Sequence, residues 1–71
     1  MSGSIYKIIE LVGTSTTSWE DAARSAVETA SKTLKDLRIA EISKLDMTVE
    51  EGKITNFRAR VNISFKYHGE G

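Results

Sequence analysis

The sequence of 71 residues contains no cysteine, and histidine occurs once, as His68. The absence of cysteine excludes disulfide bonds, thiolate nucleophiles and cysteine-ligated zinc or iron–sulfur centres. With its single histidine in a glycine-rich tail, the chain offers no positioned base for a serine nucleophile such as Ser15 or Ser18. Neither a Walker motif nor a dinucleotide-binding glycine motif is present. These absences argue against an enzyme.

An excess of charge of one sign is also absent, because ten basic residues balance ten acidic ones. A neutral chain exerts no long-range attraction on nucleic acids or anionic bilayers, so we expect neither as a partner. No apolar run approaches the roughly 18 residues that span a membrane. Residues 1–4 lack the basic and apolar regions of a signal peptide, so a cytoplasmic location is the default expectation.

The composition that is present is an ordinary globular one, with 39% hydrophobic and 28% charged residues, and it predicts a single domain over residues 1–71. We expect residues 1–4 and 68–71 to be flexible ends. A chain of this size buries only about 60% of its unfolded surface, and its core rarely supplies more than about 3–5 kcal/mol. Because disulfides are excluded, oligomerisation or a bound ligand is the expected additional support.

The pattern predicts a strand, a helix and two further strands, over Ile5–Val12, Trp19–Lys35, Arg38–Val49 and Ile54–Tyr67. A polar loop over residues 13–18 joins the first strand to the helix. Thr17 or Ser18 can cap the helix, since an acidic residue follows each of them three positions later. Gly52 suits the positive φ of the turn over residues 50–53.

Hydrophobic periodicity is clearest in the helix and the last strand. One helix face carries eight apolar residues, four of them alanine, and such a narrow stripe lets a helix lie close to a sheet: Trp19, Ala22, Ala23, Ala26, Val27, Ala30, Leu34 and Leu37. The last strand, roughly 46 Å long, alternates strictly and places six apolar residues on one face: Phe57, Ala59, Val61, Ile63, Phe65 and Tyr67. Neither face of the preceding strand is cleanly apolar, which predicts a bend or bulge midway.

These elements predict an α+β fold of β-α-β-β order, in which a three-stranded antiparallel sheet wraps partly around one helix. The helical crossover makes the first two strands parallel to each other, and the last strand lies between them if it pairs with both. A helix of 17 residues is only about 26 Å long, so it leaves part of the sheet uncovered. This uncovered surface is the physical argument for self-association.

Several residues could bind a ligand, and each has a structural alternative. The loop after Gly13 could hold an anion at the start of the helix, or could simply cap it. Asp46, Glu50 and Glu51 could hold a hard cation such as calcium, or could be solvated carboxylates around a turn. Trp19 could be a stacking platform, but its place on the alanine stripe favours packing against the core or another subunit.

Two arginines lie on the polar face of the last strand. Arg58 and Arg60 could pair across strands with Glu41, or with a neighbouring subunit, and we expect such a structural role rather than ligand binding.

One long segment and several short ones resemble the dodecin family. They are the run Tyr-Lys-Ile-Ile-Glu-Leu-Val-Gly-Thr-Ser over Tyr6–Ser15, the helix start Trp19–Ala23, and residues 31–34, 40–41 and 64–66. The resemblance covers about residues 5–67. It implies a β-α-β-β subunit, assembly into a hollow homododecamer of cubic symmetry, no catalysis, and storage of flavins such as FMN or riboflavin.

The resemblance also locates the flavin site, and this chain differs at both of its positions. Ile39 stands where the family has the tryptophan that stacks on the flavin ring, and Arg58 stands where it has a ring-binding glutamine. Isoleucine has no π face and arginine has no acceptor, so we expect flavin binding to be weak or absent. A similar subgroup with a small aliphatic residue at the stacking position is associated with calcium. This makes calcium binding, with Asp46, Glu50 and Glu51 as candidate ligands, or a purely structural shell the alternative.

Overall fold

The computed structural model describes residues 4–67 and confirms the predicted β-α-β-β order. Strand β1 is Tyr6–Ser15, helix α1 is Trp19–Ala30, β2 is Leu37–Glu50 and β3 is Lys53–Lys66. The sheet order is β1-β3-β2, and β3 pairs antiparallel with both neighbours. The flexibility predicted for the chain ends falls mostly on residues 1–3 and 68–71, outside the described residues. Within residues 4–67, no helix is long and apolar enough to cross a membrane.

Helix α1 is shorter than predicted, because it ends at Ala30 and not at Lys35. The Ala30 carbonyl accepts from the backbone N–H groups of Thr33 and Leu34, at 3.2 and 2.9 Å, and a turn replaces the next helical turn. Asp36 then adopts a positive φ of 61°. Leu34 and Leu37 still pack against the core, but from the connection and from β2.

Strand β1 is longer than predicted, because it runs three residues past Val12 to Ser15. Gly13 pairs with Ala59 within this extension. The helix lies so close to Gly13 that a Cβ atom there would overlap the Ala22 carbonyl oxygen and come within 3.1 Å of Ala26 Cβ. Gly13 is therefore required by the close approach of helix and strand.

The core is small and is formed by the two stripes that periodicity predicted. Its buried members are three alanines of α1 and three residues of β3: Ala22, Ala26, Ala30, Ala59, Val61 and Ile63. Val61 and Ile63 are its largest fully buried side chains. The helix comes so close to the sheet because its buried residues are alanines, whose side chains are small.

Strand β2 is bulged, as its mixed pattern predicted. Its register with β3 shifts between Ile42 and Lys44, where Ser43 is the extra residue. Ser43 Oγ donates to the Arg60 carbonyl at 3.3 Å. After the bulge, Lys44 and Asp46 share the face of Glu41, while Leu45 turns to the helix side opposite Ala59.

The sheet extends far beyond the helix. Twelve helical residues cover about 18 Å, whereas 14 strand residues cover about 46 Å. The radius of gyration is 14.8 Å, against about 11 Å for a compact chain of this length. Because one helix covers only part of one face of the sheet, many large apolar side chains are exposed in the single chain, among them Ile5, Ile8, Val12, Ile39, Ile42, Leu45, Met47, Val49 and Ile54.

Candidate functional site

The polar loop before the helix uses its own groups as caps. Ser18 Oγ accepts from the Asp21 N–H at 3.0 Å, which makes Ser18 the N-cap. The Asp21 carboxylate does not reach back to the cap residue but accepts from the buried Ser15 hydroxyl at 2.8 Å. Ser15 Oγ in turn accepts from the Thr17 N–H at 2.9 Å. The geometry therefore favours the capping interpretation of this loop over an anion site.

Trp19 joins the start of the helix to the two long strands. Its indole Nε1–H donates to the Asp46 carbonyl oxygen at 3.0 Å. Its ring meets Phe57 edge-on, with centroids 5.2 Å apart and planes at 72°. Trp19 thus packs within the chain and joins the start of α1 to β2, at the point where the sheet begins to extend beyond the helix.

The Asp46 side chain is held on the opposite face of the sheet by Arg58. Arg58 Nε donates to Oδ1 at 2.7 Å and Nη2 donates to Oδ2 at 2.8 Å, a bidentate pair. These hydrogen bonds, with the charges of Arg58 and Arg60, hold the pKa of Asp46 below its ordinary value. Both side chains are well exposed, at 38% and 48%, so the pair adds little stability.

The predicted pairing of the two arginines with Glu41 is wrong. Glu41 lies opposite Asn62, whereas Arg58 lies opposite Asp46. Arg60 approaches Glu10 of β1, with Nε 3.9 Å from Oε2, a long ion pair. For Arg58 the cause is the sheet register, which places Asp46 directly opposite it and Glu41 four residues further along β3.

The three candidate metal ligands do not converge in one chain. Asp46 precedes Glu50 by four strand residues, or about 13 Å, and Glu51 lies in the following turn with a φ of 52°. Asp46 already binds a guanidinium. In residues 4–67, no three acidic or histidine side chains come together as a cation site. Within one chain, these three residues therefore do not form a calcium site together.

The two positions of the family flavin site are also far apart in one chain. Ile39 lies opposite Ser64, six residues along β3 from Arg58, which corresponds to about 20 Å. Ile39 is 65% exposed and borders a cavity of about 190 Å³ with Val27 and Ile63. A single ring could contact both positions only if they came from different chains.

Known proteins match this chain over nearly its whole length. The Dodecin family model covers residues 5–68. Calcium dodecin of Mycobacterium tuberculosis is 47% identical over 64 residues, which are 89% of each chain. A crystal structure described as calcium dodecin from that organism, a calcium-chelating antigen with a novel calcium-binding site, has a TM-score of 0.82 at 42% identity and covers 96% of this chain and 97% of its own.

A second solved structure agrees still better in fold. The structure of dodecin from Streptomyces coelicolor has a TM-score of 0.90 at 30% identity, and the match covers 99% of this chain and all of the other. The matched residues run from before β1 to beyond β3, so they include every element that positions the residues described above. It is the whole fold, and not one motif, that makes this chain a member of the dodecin family.

Proposed function

We propose that this chain is a non-enzymatic binding protein that assembles into a closed homododecamer and holds a small ligand between subunits. The observation that carries the proposal is that α1 covers only part of the long sheet, which leaves apolar residues of β2 such as Ile42 and Val49 exposed. The separation of Ile39 from Arg58 supports a ligand site shared between chains. The family relationship supports the same assembly.

The assembly is tested by native mass spectrometry of freshly purified protein. We expect a particle of twelve 7.9 kDa chains, together with any retained small molecule. Ile42→Lys, which places a charge on an exposed apolar position of β2, should shift the protein toward smaller species. Thr33→Lys, in the exposed turn after α1, is the control. A folded native chain that stays monomeric at micromolar concentration contradicts the proposal.

The ligand of the proposed site is flavin-like, and we propose that FMN or riboflavin itself binds weakly. Ile39 offers no aromatic face for stacking. Arg58 has donors but no acceptor, and two of its nitrogens already serve Asp46. The missing aromatic face and the missing acceptor both weaken contacts to the same flavin ring, so their effects on affinity combine.

Calcium is the second candidate, and the name of the 47% identical relative favours it. Because no cation site forms within residues 4–67 of one chain, we propose that calcium would be bound between subunits. Glu50 and Glu51 are the stronger candidates, since the Asp46 carboxylate is held by Arg58.

Calorimetric titration of the assembled protein with calcium tests this second candidate. We expect a binding heat that Glu50→Gln, Glu51→Gln abolishes, because neutral amides replace two carboxylate ligands. Asp46→Asn should reduce the heat less, and Glu28→Gln on the exposed side of α1 should leave it unchanged. No heat from the native protein would exclude calcium and leave the structural shell.

A further inference from the structure

A cavity of about 190 Å³ lies on the helix side of the sheet, between the second half of α1 and the first residues of β2. Its lining is aliphatic apart from one arginine: Val27, Leu37, Arg38, Ile39, Ala40 and Ile63. Ile63 is fully buried, whereas Arg38 and Ala40 are exposed. The cavity therefore reaches from the core to the solvent at the edge strand β2.

Three local features leave this space open and place a charge beside it. Helix α1 packs mainly against β1 and β3, so the start of β2 is only partly covered. Ala40 lies opposite Ile63 and shares its helix-side orientation, but its methyl group is too small to fill the gap. The register shift between Leu37 and Ile39 makes Arg38 the extra residue of a second bulge, and bulges re-aim the side chains they carry.

The guanidinium of Arg38 is available to a ligand. The carboxylates that adjoin the lining residues in sequence are Glu28, Asp36 and Glu41, and within residues 4–67 none of them forms an ion pair with Arg38. Glu28 is exposed on α1, and Glu41 follows the helix-side Ala40 and so projects from the other side of the sheet. An aliphatic cavity thus has one cation at its edge.

We propose that this cavity binds a small aliphatic carboxylic acid, with the hydrocarbon tail against Val27 and Ile63 and the carboxylate at Arg38. An apolar cavity with a few polar groups is the usual form of a small-molecule site. The planar guanidinium offers a carboxylate two parallel N–H donors. At about 30 Å³ per water-sized group, the cavity has room for about six heavy atoms, so a short alkyl tail fits and a three-ring flavin does not.

This inference goes beyond the proposed function, because one chain supplies the whole cavity and Arg58 takes no part in it. Ile39 borders the cavity but lies opposite Ser64, so its side chain projects from the other side of the sheet. Failure of the inference would leave the assembly and the ligand between subunits untouched. Failure of the assembly is reported separately, by native mass spectrometry of the same sample.

The experiment titrates the native, assembled protein with hexanoate at low ionic strength, where exposed charges are least screened, and follows side-chain methyl signals by NMR. We expect the signals of Val27, Leu37 and Ile63 to shift with saturation, while those of Val12 and Val49, which do not line the cavity, stay unchanged. 1-Hexanol has the same tail without the charge and should bind severalfold more weakly. Acetate has the charge without the tail and should leave the methyl signals unchanged.

Matched variants identify the residues that bind the acid. Arg38→Gln should weaken hexanoate binding severalfold and leave 1-hexanol binding unchanged, whereas Arg24→Gln, the charge-matched control on the exposed side of α1, should alter neither. Ala40→Leu extends from an exposed position into the cavity and should abolish the binding of both. The proposal is overturned if hexanoate causes no saturable shift of the cavity methyl signals, if 1-hexanol binds as tightly as hexanoate, or if Arg24→Gln weakens binding as much as Arg38→Gln.

Discussion

Gly13→Ala should lower the free energy of unfolding by about 3 kcal/mol, at or above the upper end of the usual overpacking cost. The added Cβ would overlap the Ala22 carbonyl oxygen, a backbone atom that cannot move without the helix. Separating α1 from β1 would also loosen the packing of Ala22 and Ala26. In a chain whose own core rarely supplies more than about 3–5 kcal/mol, this is most of the stability.

Urea denaturation followed by circular dichroism, at one fixed protein concentration, measures this effect. Gly52→Ala is the matched control, because no atom lies within 4 Å of its added Cβ and only its positive φ of 77° is unfavourable. That backbone cost is about 1–2 kcal/mol. Equal midpoints for the two variants would show that helix and strand are not as closely packed as the structure indicates.

Ile39→Trp, Arg58→Gln should create measurable flavin binding. The indole supplies a stacking face, and the amide can both donate to and accept from the polar edge of the ring. By analogy with bases on aromatic side chains, stacking contributes about 1–3 kcal/mol, which is roughly a fivefold to more than a hundredfold gain in affinity. Ile39 is 65% exposed in the single chain, so the larger side chain meets no clash within its own subunit.

Quenching of riboflavin and FMN fluorescence measures this gain. The native chain should leave flavin fluorescence unchanged up to tens of micromolar, whereas the double variant should quench it. The control is Ile5→Trp, Arg24→Gln, which makes the same two changes at exposed positions before β1 and on α1. Absence of quenching in an assembled double variant would mean that Ile39 and Arg58 do not form the flavin site.

Hydrophobic periodicity was sufficient to predict the order and packing of the elements, because the burial of apolar side chains determines how the elements pack. The alternation around Val61 and Ile63 and the alanine stripe of α1 both became the core. The mixed pattern of β2 correctly predicted an irregularity, since no unbroken strand could bury one face of it.

The boundaries of the helix and strands, and the ion-pair partners of the arginines, were less predictable for physical reasons. Leu34 continues the helical period, so the pattern could not reveal that Ala30 ends the helix. Thr14 and Ser15 belong to a polar run that is typical of a loop, although their backbone pairs with β3. The partner of Arg58 depends on register, and the Ser43 bulge fixes that register in a way that composition does not show. Whether Asp46, Glu50 and Glu51 bind a metal remains a prediction.

The Ser43 bulge has a consequence for how such a chain could change over generations. Loss of that one codon would turn over the remainder of β2, exchanging Lys44 and Asp46 with Leu45 and Met47 between the two sides of the sheet. A point mutation alters one contact, but this deletion would invert the chemistry of half a strand at once. A homologue with a one-residue gap at this position should therefore present a different surface, even where its remaining residues are identical.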